Sequence, residues 1–253
     1  RSQTGFVYGL AYILKLKIKT ETRWNMNDTI TEINKDTFWG LIREARDSCG
    51  QDMSAMVWYL KGRLVSMGAE QAQNFHDITQ AYEDLAYKYG LWDAAEIIME
   101  YGCSNDGFID FRAWLIAQGK EVYLAALADP DSLVEVEPYG DCSFEQMSYV
   151  GEYAYKQLTG KSAYEQTDQR KYKKLVAELK QDITYKDGIQ FPREGAELKQ
   201  FLPRLCAKHP DRWREPHWNL DLKVVRELFY AGKVHDHQQV CKKANRGHGG
   251  EAR

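Results

Sequence analysis

Apolar residues recur along this chain at spacings of three and four, the period of an amphipathic helix, in one block after another. Phe38, Leu41, Ile42 and Ala45 share one face of the stretch 37–48, which Asp36 can cap and Gly50 can close. Met53, Met56, Val57, Leu60 and Leu64 form a second stripe ending near Gly68, and its methionines read as core filler. Ala72, Phe75, Thr79, Tyr82, Leu85 and Ala86 mark a third, longer helix over 69–89, broken at Gly90. Trp92, Ala95, Ile98 and Met99 mark a short fourth over 91–99.

The stretch 102–116 holds the densest run of special residues, and the pattern predicts that the rest packs around it. Gly102 suits the left-handed position that ends a helix, and Ser104, Asn105 and Asp106 suit the free N–H groups that start the next. Phe108, Phe111, Leu115 and Gly119 then share one side, with Asp110 and Arg112 nearer the flanks, which predicts a helix from about 107 to about 118. Such a start can be read in two ways. Ser104, Asn105, Asp106 and Arg112 can line a small anion site at a helix N-terminus. Alternatively they cap the helix, with Arg112 paired to Asp106 or Asp110, and this is the reading we adopt. The run 106–110 looks like part of a calcium loop. Its first and twelfth positions would be Gly102 and Ala113 where carboxylates are needed, so calcium is rejected.

Farther on, 121–128 continues helically, and Asp129-Pro130-Asp131 is a stop followed by a restart. Asp129 and Asp131 can hold a metal through oxygen, but turn chemistry accounts for them as well. An acidic connector at 134–142 leads to a helix at 143–158, a polar loop at 160–168 and a lysine-faced helix at 171–179. A turn at 186–188 and a last short helix at 197–206, interrupted by Pro203, complete the series. The fold class is all-α: a single globular helical domain of about eight helices with irregular termini.

Composition narrows the function. An apolar fraction of 43% and seven Trp permit a real core in 253 residues, and sixteen Tyr favour partly wet interaction surfaces. The net charge of −3 conceals an asymmetry. Residues 1–25 carry +4 and residues 218–253 carry +3, which leaves −10 on 26–217. An acidic body argues against nucleic acid as a partner. The five cysteines are scattered and form no CxxC pair, which suits reduced thiols in a cytoplasmic protein and offers no zinc spacing. No metal, cofactor or membrane partner is expected.

The ends differ from the body. Residues 1–25 lack an initiating Met, and their apolar run at 5–14 is too short to span a bilayer. The run 14–19 alternates like an edge strand. We expect a non-native or disordered leader there, the helical domain at 26–209 and a weakly structured tail at 210–253. Four of the six histidines fall in that tail, where His235 and His237 could bind a metal weakly, although the Gly-rich ending favours fraying.

Several ordered segments carry a resemblance. They are Phe38-Trp39-x-Leu41-Ile42-x-x-Ala45-Arg46, Leu91-Trp92-x-Ala94-Ala95, Gly102-Cys103-Ser104-Asn105-Asp106 through Gly119, and Ala128-Asp129-Pro130-Asp131-Ser132-Leu133. Together with Glu152-x-x-Tyr155 and the run from Leu202 to Lys208, they resemble the bacterial domain-of-unknown-function family numbered 4240 over roughly 36–208. The family pattern commonly has a second Asp where Asn105 stands. The resemblance implies a soluble intracellular bacterial domain and supplies no activity.

The chain has no phosphate loop, no GxSxG, no HExxH and no GxGxxG. We therefore expect a binding or regulatory module with a protein partner. The alternative is an enzyme with a polar site at the 102–112 helix N-terminus. It would use Cys103 or Asp106 with Arg112, and His76 is the one candidate base within the span 36–208 that carries the resemblance. The candidate site residues are Cys103, Ser104, Asn105, Asp106, Asp110, Arg112 and Trp114, with no catalytic role assigned to any of them.

Overall fold

Side-chain caps start some helices and glycines close others in the computed structural model, which describes residues 30–186 and 195–212. Contacts divide the chain between Thr31 and Glu32, and every element below lies in the second unit. The expected leader at 1–25, the alternating run at 14–19, the turn residues 187–188 and the tail beyond 212 with its histidines lie outside the described residues.

Helix α1 spans Lys35–Cys49. Its cap is Asn34 rather than Asp36. Asn34 is extended, and its carboxamide oxygen accepts from the Asp36 and Thr37 N–H groups at 3.0 and 3.1 Å. The Thr37 hydroxyl accepts the Asn34 N–H at 2.8 Å in return. That reciprocal pair satisfies donors at both ends of the first turn, which Asp36 inside the helix cannot do. Asp52 caps α2 (Met53–Met67) by accepting from Ala55 N–H at 2.9 Å, and Met56, Leu60 and Leu64 face inward.

Helix α3 (Ala69–Leu85) stops four residues before the expected end, and α4 (Tyr89–Ile98) starts ahead of Gly90. The break therefore falls at 86–88. Gly90 lies inside α4 because it faces the Phe201 ring, where a Cβ would sit 2.8 Å from a ring carbon. All ten residues of α4 are buried.

Helix α5 (Asn105–Ala117) starts two residues earlier than predicted, and α6 (Lys120–Ala128) follows at once. Asp129 then caps a 3-10 helix at Pro130–Glu135, and a second 3-10 turn occupies Gly140–Cys142. The helix expected over 143–158 is two, α7 (Glu145–Ser148) and α8 (Val150–Thr159), joined at Tyr149. The loop expected at 160–168 contains α9 (Ala163–Gln166). Helix α10 (Gln169–Leu179) is capped by Asp168 and continues into a 3-10 turn at Lys180–Asp182. The last two are α11 (Gly195–Phe201) and α12 (Pro203–Lys208), divided at Leu202 by the proline. No strand occurs among the described residues, and the fold class is all-α.

The hub is α3 rather than the 102–116 stretch. It packs against α1, α2, α5, α7, α8, α9 and α10. Its inner face carries Ala72, Phe75, Ile78, Tyr82 and Leu85, and Phe38 lies 4.9 Å from Phe75 between ring centroids. No described helix is long and apolar enough to cross a membrane.

Candidate functional site

The turn between α4 and α5 is built from backbone groups that need partners. Gly102 adopts a φ of 75°, the left-handed conformation a β-carbon would strain. The next residue, Cys103, is fastened at both backbone groups. Its N–H donates to Glu96 Oε2 at 2.7 Å, and its carbonyl accepts the indole N–H of Trp92 at 2.8 Å. Ser104 is the cap: its hydroxyl accepts Gly107 N–H at 3.0 Å. From opposite sides, Asp141 accepts Glu100 N–H at 2.6 Å and the Tyr87 hydroxyl reaches Asn105 Oδ1 at 3.4 Å.

The seven candidate residues do not converge. Ser104, Asn105 and Asp106 are exposed, Asp110 is half-buried, and Cys103, Arg112 and Trp114 are buried. Asp110 accepts the Ser143 hydroxyl at 3.3 Å, and its carboxyl is raised by burial first and by Glu145 second. Trp114 packs between Phe111 and Tyr139, at 5.6 and 5.8 Å between centroids. Burial pushes the Cys103 thiol well up, and the Glu96 carboxylate pushes it further, against a weaker pull from Arg112. The low thiol pKa expected of a helix N-terminus is therefore reversed by burial. His76 contacts Tyr164, at 4.3 Å between ring centroids, and the backbone of Gly151. It lies on α3, seven residues before Glu83, and its pKa is lowered mainly by burial.

Arg112 pairs with neither Asp106 nor Asp110. Its Nε donates to the Phe108 carbonyl at 3.1 Å and its Nη1 to the Glu83 carbonyl at 2.7 Å. The guanidinium lies 4.6 Å from the Tyr87 ring centroid. It thereby meets a residue the pattern reading missed. Glu83 is 6% exposed, and its carboxylate accepts the Ser148 hydroxyl at 2.6 Å and the Gln80 amide at 3.2 Å. Burial raises its pKa to about 7, against smaller lowering by Ser148 and Arg112. The signal was present in the sequence: Glu83 falls four residues after Thr79 and three before Ala86, on the apolar stripe itself.

The two aspartates weighed as metal ligands fasten the last helices instead. Asp129 accepts from Lys186 Nζ at 2.9 Å. Asp131, 3% exposed, accepts Arg204 N–H at 3.1 Å, Leu205 N–H at 2.9 Å and Arg204 Nε at 3.2 Å, so it caps α12 from across the fold. Among the described residues, no group of three or more His, Cys, Asp or Glu is arranged to hold a metal.

A groove opens elsewhere. Its volume is about 500 Å³, and Met53, Val57, Trp58 and Lys61 of α2 line it together with Gln146 and Tyr153 of α7 and α8. Trp58 is 71% exposed and Tyr153 39%. The Lys61 ammonium sits 5.3 Å from the Trp58 ring centroid. A far smaller cavity lies between Gly90, Pro130, Tyr185 and Phe201. None of the seven candidate residues lines either one.

One family model matches the chain, over residues 33–157, and its description is "Protein of unknown function (DUF4240)". The run from Leu202 to Lys208 that carried part of the resemblance lies beyond that match. No curated protein and no solved structure matches the chain.

Proposed function

The chain belongs, through residues 33–157, to the DUF4240 family of proteins of unknown function, and from that premise we propose that it is a binding or regulatory module whose contact face is the groove between α2 and α7–α8. One observation carries the reading. A tryptophan 71% exposed stands at the edge of an aromatic-lined groove, in a protein whose other tryptophans among the described residues are buried. Apolar surface left in water costs about 25 cal/mol per Å², and Trp and Tyr, apolar with a polar handle, are enriched at interfaces. The groups at 102–112 support the same choice, because capping, Cys103 burial and the Arg112 hydrogen bonds already engage them. The free cysteines Cys49, Cys103, Cys142 and Cys206 fit a cytoplasmic protein.

The test has two arms. Thiol labelling of the folded protein at neutral pH should modify half-buried Cys49 before the other described cysteines, and Cys103 only on unfolding. A Cys103 that reacts as fast as Cys49 would favour the enzyme reading. In cells, a photoreactive residue in place of Ser54, beside the groove, should give a discrete protein adduct that the same residue in place of Lys171 on α10 does not give. That partner, identified by mass and purified, should bind the wild type and bind Trp58→Ala more weakly. No adduct, or the same adducts from both positions, would refute the groove.

A further inference from the structure

We infer that the occupant of this groove is a peptide segment of another protein that seats an apolar or aromatic side chain between Trp58 and Tyr153 and lays a carboxylate against Lys61. The inference rests on the binding reading above and goes beyond it by fixing the partner's chemistry.

Charge gives the first argument. The residues lining the groove include one cation, Lys61, and no carboxylate. No carboxylate lies within ion-pair distance of Lys61 among the described residues, whereas Arg63, two residues on, is paired with Glu44 at 3.3 Å. The body around it, residues 26–217, carries a net charge of −10. Within contact range, an unpaired cation with no acid beside it attracts a partner carboxylate and repels a basic side chain. The acidic body acts in the opposite sense from farther away, where salt screens it, so the preference is set locally at Lys61.

Shape gives the second. Ser54, Trp58 and Lys61 recur at spacings of four and three on α2, so the polar and aromatic rim runs as one stripe about 10 Å long. Same-face side chains of an extended segment stand about 7 Å apart, so a stripe of that length takes two of them. Gln146 faces the groove from the opposite wall, where its carboxamide can bond a peptide group. Trp and Tyr are the side chains that most often dominate such contacts.

A second copy seated groove to groove is a poorer occupant, since it would set the same acid-free lining, with the same Lys61, against itself.

The probe is a library of random dodecapeptides displayed on phage, selected against the full chain. The expected outcome is enrichment of sequences with a large apolar residue and an Asp or Glu within four positions of it. Synthetic copies should bind with roughly ten-fold loss on Trp58→Ala or Tyr153→Ala. They should lose roughly three- to ten-fold on Lys61→Glu, and regain it when the peptide's acid is changed to Lys. Peptides that need Trp58 but carry no shared acid and ignore Lys61→Glu would overturn this inference while leaving the groove reading intact. Peptides indifferent to Trp58→Ala and Tyr153→Ala, or no enrichment at all, would overturn both. Self-association that Trp58→Ala abolishes would overturn the inference in favour of a second copy.

Discussion

Gly151→Ala tests the packing on which the groove wall stands. Gly151 lies in the first turn of α8, and a β-carbon there would sit 2.7 Å from the N, Cα and Cβ atoms of His76. Those atoms belong to α3, the helix against which seven others pack, so they cannot swing aside as a flexible side-chain tip could. Overpacking of this kind costs roughly 1–3 kcal/mol, and a clash with backbone belongs at the upper end. Alanine is the better helix former by up to about 1 kcal/mol. The expected net loss is therefore about 2 kcal/mol. Gly62→Ala supplies the control. Gly62 is exposed within α2, and nothing lies within 4 Å of its would-be β-carbon. The same chemical change should stabilise by roughly 0.5–1 kcal/mol there. Urea denaturation followed by circular dichroism reads both, and the midpoints should move in opposite directions at unchanged slope. If Gly151→Ala is as stable as Gly62→Ala, α8 does not lie on α3 as described.

Three further changes act on buried polar groups. Glu83 has its folded pKa raised from 4.5 to about 7, so its contribution is full below about 4.5 and is lost as pH rises through 7. Glu83→Gln should remove that loss, about 3 kcal/mol at most, and denaturation midpoints of the two proteins running parallel from pH 4.5 to 8 would contradict it. His76 has its pKa lowered, so its contribution is present above its ordinary value of 6.5 and is lost as pH falls. His76→Leu should therefore flatten the acid side of the stability curve, and an unchanged slope below pH 6.5 would count against the buried neutral ring. Asp131→Ala should cost about 2 kcal/mol by leaving the first N–H groups of α12 without their acceptor. Hydrogen exchange should rise in 203–208 before anywhere else, and uniform protection would show that the cap is not what holds α12.

What the chain pattern could and could not reveal follows from what each feature depends on. Helices α1 and α2 were legible because their inner faces are written locally, as Phe38, Leu41 and Ile42 or Met56, Leu60 and Leu64. The Ser104 cap and the left-handed Gly102 were legible for the same reason. The bare face of Gly151, Gly90 inside α4 and the partner of Arg112 were not, since each depends on a residue far along the chain: His76 beneath Gly151, Phe201 against Gly90, Glu83 beneath Arg112. The local pattern marks the polar turn as a cap and offers the arginine only the nearest acids in sequence. A backbone carbonyl on α3 took it instead, because a buried guanidinium needs acceptors wherever the fold places them. The groove drew no notice, since Trp58 and Tyr153 meet only when α2 and α8 lie side by side.

The polar turn and the groove are nonetheless parts of one construction. Arg112 on α5 holds the carbonyl of Glu83 on α3, and the carboxylate of Glu83 holds Ser148 on α7. Gln146, which faces the groove, stands two residues from Ser148 on the same four-residue helix. A helix that short has almost no stability of its own, so its place is set by such bonds and by buried Met147. It follows that Ser148→Ala should disturb peptide binding at the groove although Ser148 touches no part of it. The hydroxyl's loss leaves a buried carboxylate short of a donor, at a cost of roughly 1–3 kcal/mol, and α7 is the element free to move in response. Calorimetry with a groove-binding dodecapeptide would show weaker affinity for Ser148→Ala at pH 8, where Glu83 is charged, than at pH 5, where it is protonated and its need for a donor is smaller. Equal weakening at both pH values would mean that Gln146 owes its position to packing alone.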